Sequence, residues 1–151
     1  MIFVLEFSAT VPGTEPVTRT FLVGTEAFTT GPADTPASTS CLERLSDPGN
    51  FSRSIAGNRV LFGVTEAQGG EAVFENGDGK LDDWVEYGVG GTATLRCAAY
   101  HPGAYPAGWG TVYVARADGW VSEASGSRYL QLQLRELLSR LDKPMCAVFA
   151  G

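Results

Sequence analysis

Short runs of alternating apolar and polar residues, each cut off by Gly, Pro, Asp or Asn, dominate this chain. A side-chain period of two puts alternate residues on opposite faces, which suits half-buried strands rather than amphipathic helices. The pattern predicts a strand over residues 1–9 and a second over residues 17–23, where Val17, Thr18, Thr20 and Val23 are β-branched. Val11-Pro12-Gly13-Thr14-Glu15-Pro16 between them reads as a turn or loop, so the two runs make a hairpin. Further strands are expected over residues 60–64, 71–75 and 92–99. Residues 111–117 and 119–122 flank Asp118-Gly119, which reads as a tight hairpin turn.

Two stretches escape this pattern. Residues 24–58 are rich in Thr, Ser, Pro and Gly and have few periodic apolar positions. They read as a long irregular loop or arm, with a turn at Asp47-Pro48-Gly49-Asn50. Residues 129–141 satisfy two templates. Leu130, Leu132 and Leu134 alternate as on a strand, while Leu130, Leu134, Leu137, Leu138 and Leu141 form a helical stripe. The preferred reading is a strand through about Leu134, then a short helix through Leu141, ended before Pro144. Strands at this spacing, with no internal repeat, predict a mainly β chain: an antiparallel β-sandwich or split β-barrel with one short C-terminal helix and long loops.

The 151 residues suit one domain, and 44% hydrophobic residues can build its core. A formal net charge of −6 argues against a nucleic-acid binder, which needs basic side chains for phosphates. No run reaches the roughly 18 apolar residues of a membrane span, and residues 1–6 lack the features of a secretory signal. Cys41, Cys97 and Cys146 are far apart and odd in number, and read as free thiols rather than as a disulfide framework or zinc site.

Three features invite a chemical reading. Asn76-Gly77-Asp78-Gly79-Lys80-Leu81-Asp82 looks like a calcium loop, but its spacing fails. Counting Asn76 as the first position puts Lys80 and Leu81 where a ligand and a glycine are required. Asn76, Gly77, Asp78, Gly79 and Asp82 are therefore read as a structural turn, and no metal or cofactor is expected. The carboxylates Glu71, Glu75, Asp78, Asp82, Asp83 and Glu86 could supply the acid pair of a glycosidase, yet solvated surface charge explains them equally. With one histidine, His101, and no Gly-x-Ser-x-Gly elbow or phosphate-binding loop, no catalytic set emerges, and the chain is not expected to be an enzyme. The loop around His101 carries Tyr100, Tyr105 and Trp109. These aromatics either dock a partner or a sugar, or tuck the loop over the end of the barrel.

The order of several segments resembles that of tail-tip proteins from long-tailed, siphovirus-type phages and prophages. The segments are Phe51-Ser52-Arg53-Ser54, Gly63-Val64, Val73 through Asp82, Tyr87 through Arg96, Leu130 through Arg135, Leu141-Asp142-Lys143-Pro144 and Phe149-Ala150-Gly151. The family carries an Asn-x-Asp-Gly-x-Leu-Asp turn, matched here by Asn76 through Asp82. The likeness spans roughly residues 50–151. It departs at Gly90-Gly91, where relatives have Asp-Gly, and in the first 50 residues. Relatives continue past the Ala-Gly position, so this chain is expected to be the N-terminal part of a longer protein or a shortened member.

The resemblance implies a tail-tube-like domain in a distal tail or baseplate hub component, located at the virion tail tip and made in the host cytoplasm. It implies a homo-oligomeric ring, a hexamer first and a trimer second, joining the tail tube protein to hub and fibre proteins. No catalytic residue transfers. Residues 24–58 are the candidate inter-subunit arm, in an interface expected to exceed about 2,000 Å². The alternative is a carbohydrate-binding β-sandwich that reads host glycans through Tyr100, Tyr105, Trp109 and Trp120. An acid-pair hydrolase ranks third.

Overall fold

A computed structural model describes residues 1–49, 69–121 and 129–136. Among these, nine strands form one sheet: β1 (Ile2–Val11), β2 (Val17–Gly24), β3 (Phe28–Thr29), β4 (Ser40–Glu43), β5 (Leu45–Asp47), β6 (Gly69–Glu75), β7 (Gly88–Ala98), β8 (Gly110–Trp120) and β9 (Tyr129–Glu136). The spatial order is β3-β4-β2-β1-β7-β8-β9-β6-β5. The sheet curls into a half-barrel, so the mainly β, split-barrel expectation holds. One pair departs from the antiparallel expectation: β2 and β4 run parallel, with Leu22 opposite Cys41. The helix expected up to Leu141 lies outside the described residues, as does the strand expected over residues 60–64.

The β1–β2 hairpin forms as the sequence predicts, in unbroken register from Val4↔Gly24 to Val11↔Val17. The leucine alternation of β9 also holds. Leu130, Leu132 and Leu134 are all buried, opposite Phe74, Ala72 and Gly70 of β6.

The Asp118-Gly119 hairpin does not form. β8 runs straight through that dipeptide, and its register against β9 slips between Ala117 and Gly119. Gly119 has φ of 143°, a conformation that glycine reaches without Cβ cost. The bulge lets Asp118 reach two arginines that face each other across strands: Arg116 at 3.3 Å and Arg135 at 2.8 Å. Without that carboxylate the two like charges would repel.

The stretch read as an irregular arm is also corrected over residues 24–49. It contributes β3, β4 and β5 to the sheet. These strands are two to four residues long, and Cys41 and Leu45 are their only buried apolar anchors. Runs that short carry no periodic signal. Residues 50–58 of that stretch lie outside the described residues.

The half-barrel interior is filled by side chains from most strands, among them Leu5, Phe7, Val23, Leu45, Phe74, Leu95, Ala115, Leu130 and Leu132. Phe7 and Trp84 are the most connected rings of its aromatic cluster. Phe7 stacks on Phe21 at 5.6 Å and Phe74 at 5.7 Å, and meets Trp84 and Trp120 edge-on at 5.9 Å. Trp84 comes from a 3-10 turn, Asp82–Glu86, that packs against this core. A second cluster joins Ile2, Val4, Leu22 and Cys41 of the sheet to Tyr105 and Trp109 of the β7–β8 loop.

Candidate functional site

Three regions bear on function: the turn over residues 76–82, the aromatic β7–β8 loop, and the line where the two ends of the curled sheet meet.

The turn is built from its own polar side chains. Asn76, 3% exposed, accepts a hydrogen bond from the Leu81 amide at 2.8 Å and donates to Asp82 Oδ1 at 2.8 Å. The backbone closes through Gly79 N to Asn76 O at 3.1 Å, and Gly79 adopts φ of 73°. Asp78 takes the Lys80 amide at 3.1 Å and a fork from Arg44. The arrangement is thus a structural turn in which Asn76, Asp78 and Asp82 are bonded to named neighbours. Among the described residues no three His, Cys, Asp or Glu side chains group as a metal-ligand set.

Arg44 is the residue that sequence reasoning missed. It is the single link between β4 and β5, which lie near opposite ends of the sheet order. Its amide donates to Gly24 O of β2 at 3.1 Å, and its carbonyl accepts from Glu75 N of β6 at 2.7 Å. Its guanidinium reaches Glu75 O at 3.2 Å and both Asp78 oxygens, at 2.8 and 2.6 Å. One residue therefore stitches the two ends of the half-barrel through backbone and side chain together. The Arg44 hydrogen bond, helped by the Lys80 amide, holds the Asp78 carboxyl well below the usual carboxylate range. Nothing local in the sequence signals this, because the partners are far apart in the chain.

An open groove of about 320 Å³ runs along this line, edged by Glu43, Arg44, Glu75, Gly77 and Asp78. Its carboxylates are partly offset by Arg44, and Lys80 Nζ lies 4.0 Å from Asp78 Oδ2.

The three aromatics proposed as a partner-binding loop part company. Tyr105 and Trp109 are buried, at 1% and 9% exposure, and hold the loop down on the outer face of the sheet. Trp109 stacks on Phe28 and donates Nε1–H to Ala104 O at 2.8 Å. Tyr105 hydroxyl donates to Glu6 Oε1 at 3.0 Å and accepts from Arg96 Nη1 at 2.7 Å, while Arg96 also pairs with Glu6 at 3.0 Å. Burial, with the nearby Glu6 charge, pushes the Tyr105 phenol above its ordinary range. Only Tyr100, 78% exposed, stands free of the cluster, beside a shallow groove of about 410 Å³ lined by Ala98, Ala99, Pro102 and Gly108. Trp120 is half-buried against the barrel core and donates to Tyr87 O at 3.1 Å. The tucked-loop reading accounts for Tyr105 and Trp109, and a stacking platform accounts for neither.

The outer face carries a further set of exposed apolar side chains. Val112 and Val114 on β8 are 50% and 42% exposed, and Tyr129 on β9 is 42% exposed. No family model, no curated protein and no solved structure matches the chain.

Proposed function

We propose that this chain is a structural subunit of a long-tailed phage tail tip, a ring-forming module between the tail tube and the baseplate hub with its fibres. The observation that carries the reading is the use made of the Asn76–Asp82 turn, one of the segments whose order along the chain resembles that of tail-tip proteins. Its polar side chains are engaged in holding the turn and, through Arg44, the two ends of the sheet. That is the scaffold role the resemblance implies for the motif. A side-chain-filled half-barrel is a rigid building block, and its exposed valines suit contact with protein neighbours.

The test is the native mass of the purified chain, paired with cryo-EM class averages. A closed ring is expected, six-fold for a distal tail component or three-fold for a hub. A chain that stays monomeric alone and in the presence of tail tube protein would count against the reading.

One observation favours a glycan-binding alternative: Tyr100 stands exposed beside the β7–β8 groove, where a sugar ring could stack. Binding to host glycans that is abolished by Tyr100→Ala would favour it over the ring subunit.

A further inference from the structure

Asn76-Gly77 is a chemically labile pair. In an unfolded chain, the amide nitrogen that follows an asparagine can attack the asparagine's own Cγ. The attack is easiest before glycine, which has no side chain in the way. Here a bond forms from Gly77 N to Asn76 Cγ and the Cγ–Nδ2 bond breaks. Ammonia leaves, carrying the Gly77 amide proton. Water then opens the succinimide ring, to aspartate or to isoaspartate, in which the main chain runs through the former side chain.

The folded turn holds this reaction off. Asn76 is 3% exposed, and both ends of its carboxamide are engaged. Oδ1 accepts from the Leu81 amide and Nδ2 donates to Asp82 Oδ1, each at 2.8 Å. These partners lie five and six residues ahead, so they hold the carboxamide across the turn and off the next peptide. Attack by Gly77 must break both bonds, and burial limits the water that opens the ring. The turn is tied in turn to the sheet, because Arg44 forks Asp78. The fold itself does not demand glycine at 77. A Cβ there would meet nothing within 4 Å, and its φ lies outside the left-handed region, unlike that of Gly79 at 73°. The products fit the turn badly. Aspartate would put a carboxylate oxygen where Nδ2 donates, at hydrogen-bond distance from a second carboxylate. Isoaspartate would add a methylene to the backbone that joins β6 to the turn. We propose that Asn76-Gly77 is a fold-gated deamidation site: silent while the turn is closed, reactive once it opens, and impaired in closing afterwards. The turn that locks the two ends of the sheet thereby carries a one-way record of its own opening.

Deamidation is slow beside the opening and closing of a turn, so its rate follows the open population. The experiment incubates the full chain in mildly alkaline buffer, with and without denaturing urea, and follows Asn76 by peptide mapping and mass spectrometry. Asn76 should deamidate at least about tenfold more slowly in the native chain than in the unfolded one. Arg44→Ala, which removes the fork on Asp78, should narrow that gap. Gly77→Ala should keep the wild-type urea midpoint and suppress the reaction in urea. Asn76→Asp, which mimics one product, should lower the urea midpoint. Equal rates in the native and unfolded wild-type chain overturn the proposal, whatever the variants do. So does an Asn76→Asp chain as stable as the wild type, or a Gly77→Ala chain that reacts in urea as fast as the wild type.

Discussion

The guanidinium of Arg44 forks the carboxylate of Asp78, Nη1 to Oδ1 at 2.8 Å and Nη2 to Oδ2 at 2.6 Å, across the line where the two ends of the sheet come together. The geometry is bidentate, the strong form of such pairs. Its pH dependence has a definite sign. The folded carboxyl titrates below its unfolded value of about 3.9. The pair therefore contributes stability that is complete above the unfolded value and is lost as the pH falls toward the folded one. In urea titrations, the wild-type midpoint should drop on acidification below about pH 4, and Asp78→Asn should flatten that drop. An Asp78→Asn chain with wild-type acid sensitivity would assign the effect to other carboxylates. Arg44→Ala should also speed hydrogen exchange at the Glu75 amide, which closes the same line.

Phe7 touches four other rings and is 1% exposed. Phe7→Ala removes these four ring contacts and leaves a cavity among partners that cannot all move inward. A loss of about 3–5 kcal/mol is expected in chemical denaturation. A loss below about 1 kcal/mol would mean that the surrounding rings close over the gap.

Gly24 lies where β2 hands the chain toward β3, tight against β1. A Cβ there would stand 2.7 Å from the Phe3 carbonyl oxygen and 3.0 Å from Cys41 Sγ. Gly24→Ala normally gains about 0.4–1 kcal/mol by restricting the unfolded chain. Here the backbone clash should outweigh that gain, so the melting temperature should fall. An unchanged or raised melting temperature would show that β1 and β2 separate easily at this point.

Burial pushes the Cys41 thiol up to about 12, which leaves almost no thiolate near neutrality. Cys97 is only partly buried. Alkylation of the native chain, read by peptide mapping, should modify Cys97 well before Cys41, and Cys41 should react only once the chain unfolds. Equal labelling rates would mean that β4 opens readily from β2.

What was legible in the sequence was what repeats along it. The alternation in residues 1–9 and 17–23 and the leucines of β9 mark inward faces, and all three became strands. The Asn76 turn was legible because its asparagine, glycines and aspartates act over a few residues. Asp118-Gly119 was misread because the same dipeptide serves a hairpin or a bulge. The choice was made by Arg116 and Arg135, which share the Asp118 carboxylate. Residues 28–29, 40–43 and 45–47 were missed because strands of two to four residues are stabilised by neighbours rather than by their own pattern. Tyr105 and Trp109 look like exposed loop aromatics until Phe28 and Ile2 are brought against them from far earlier in the chain.

β1 lies inside the sheet, between β2 and β7, yet these two neighbours come from very different distances. β2 follows at once, whereas Ile2 meets Ala98 and Glu6 meets Thr94. During synthesis the first hairpin emerges long before β7 exists to cover it. Its inner face, with Leu5, Phe7 and Val23, and the unpaired edge of β1 must wait in the open. Closing so long a loop before any contact rewards it makes the β1–β7 pairing a slow step. Yield in a producing cell should therefore depend on chaperone capacity and temperature more than the stability of the finished barrel would suggest.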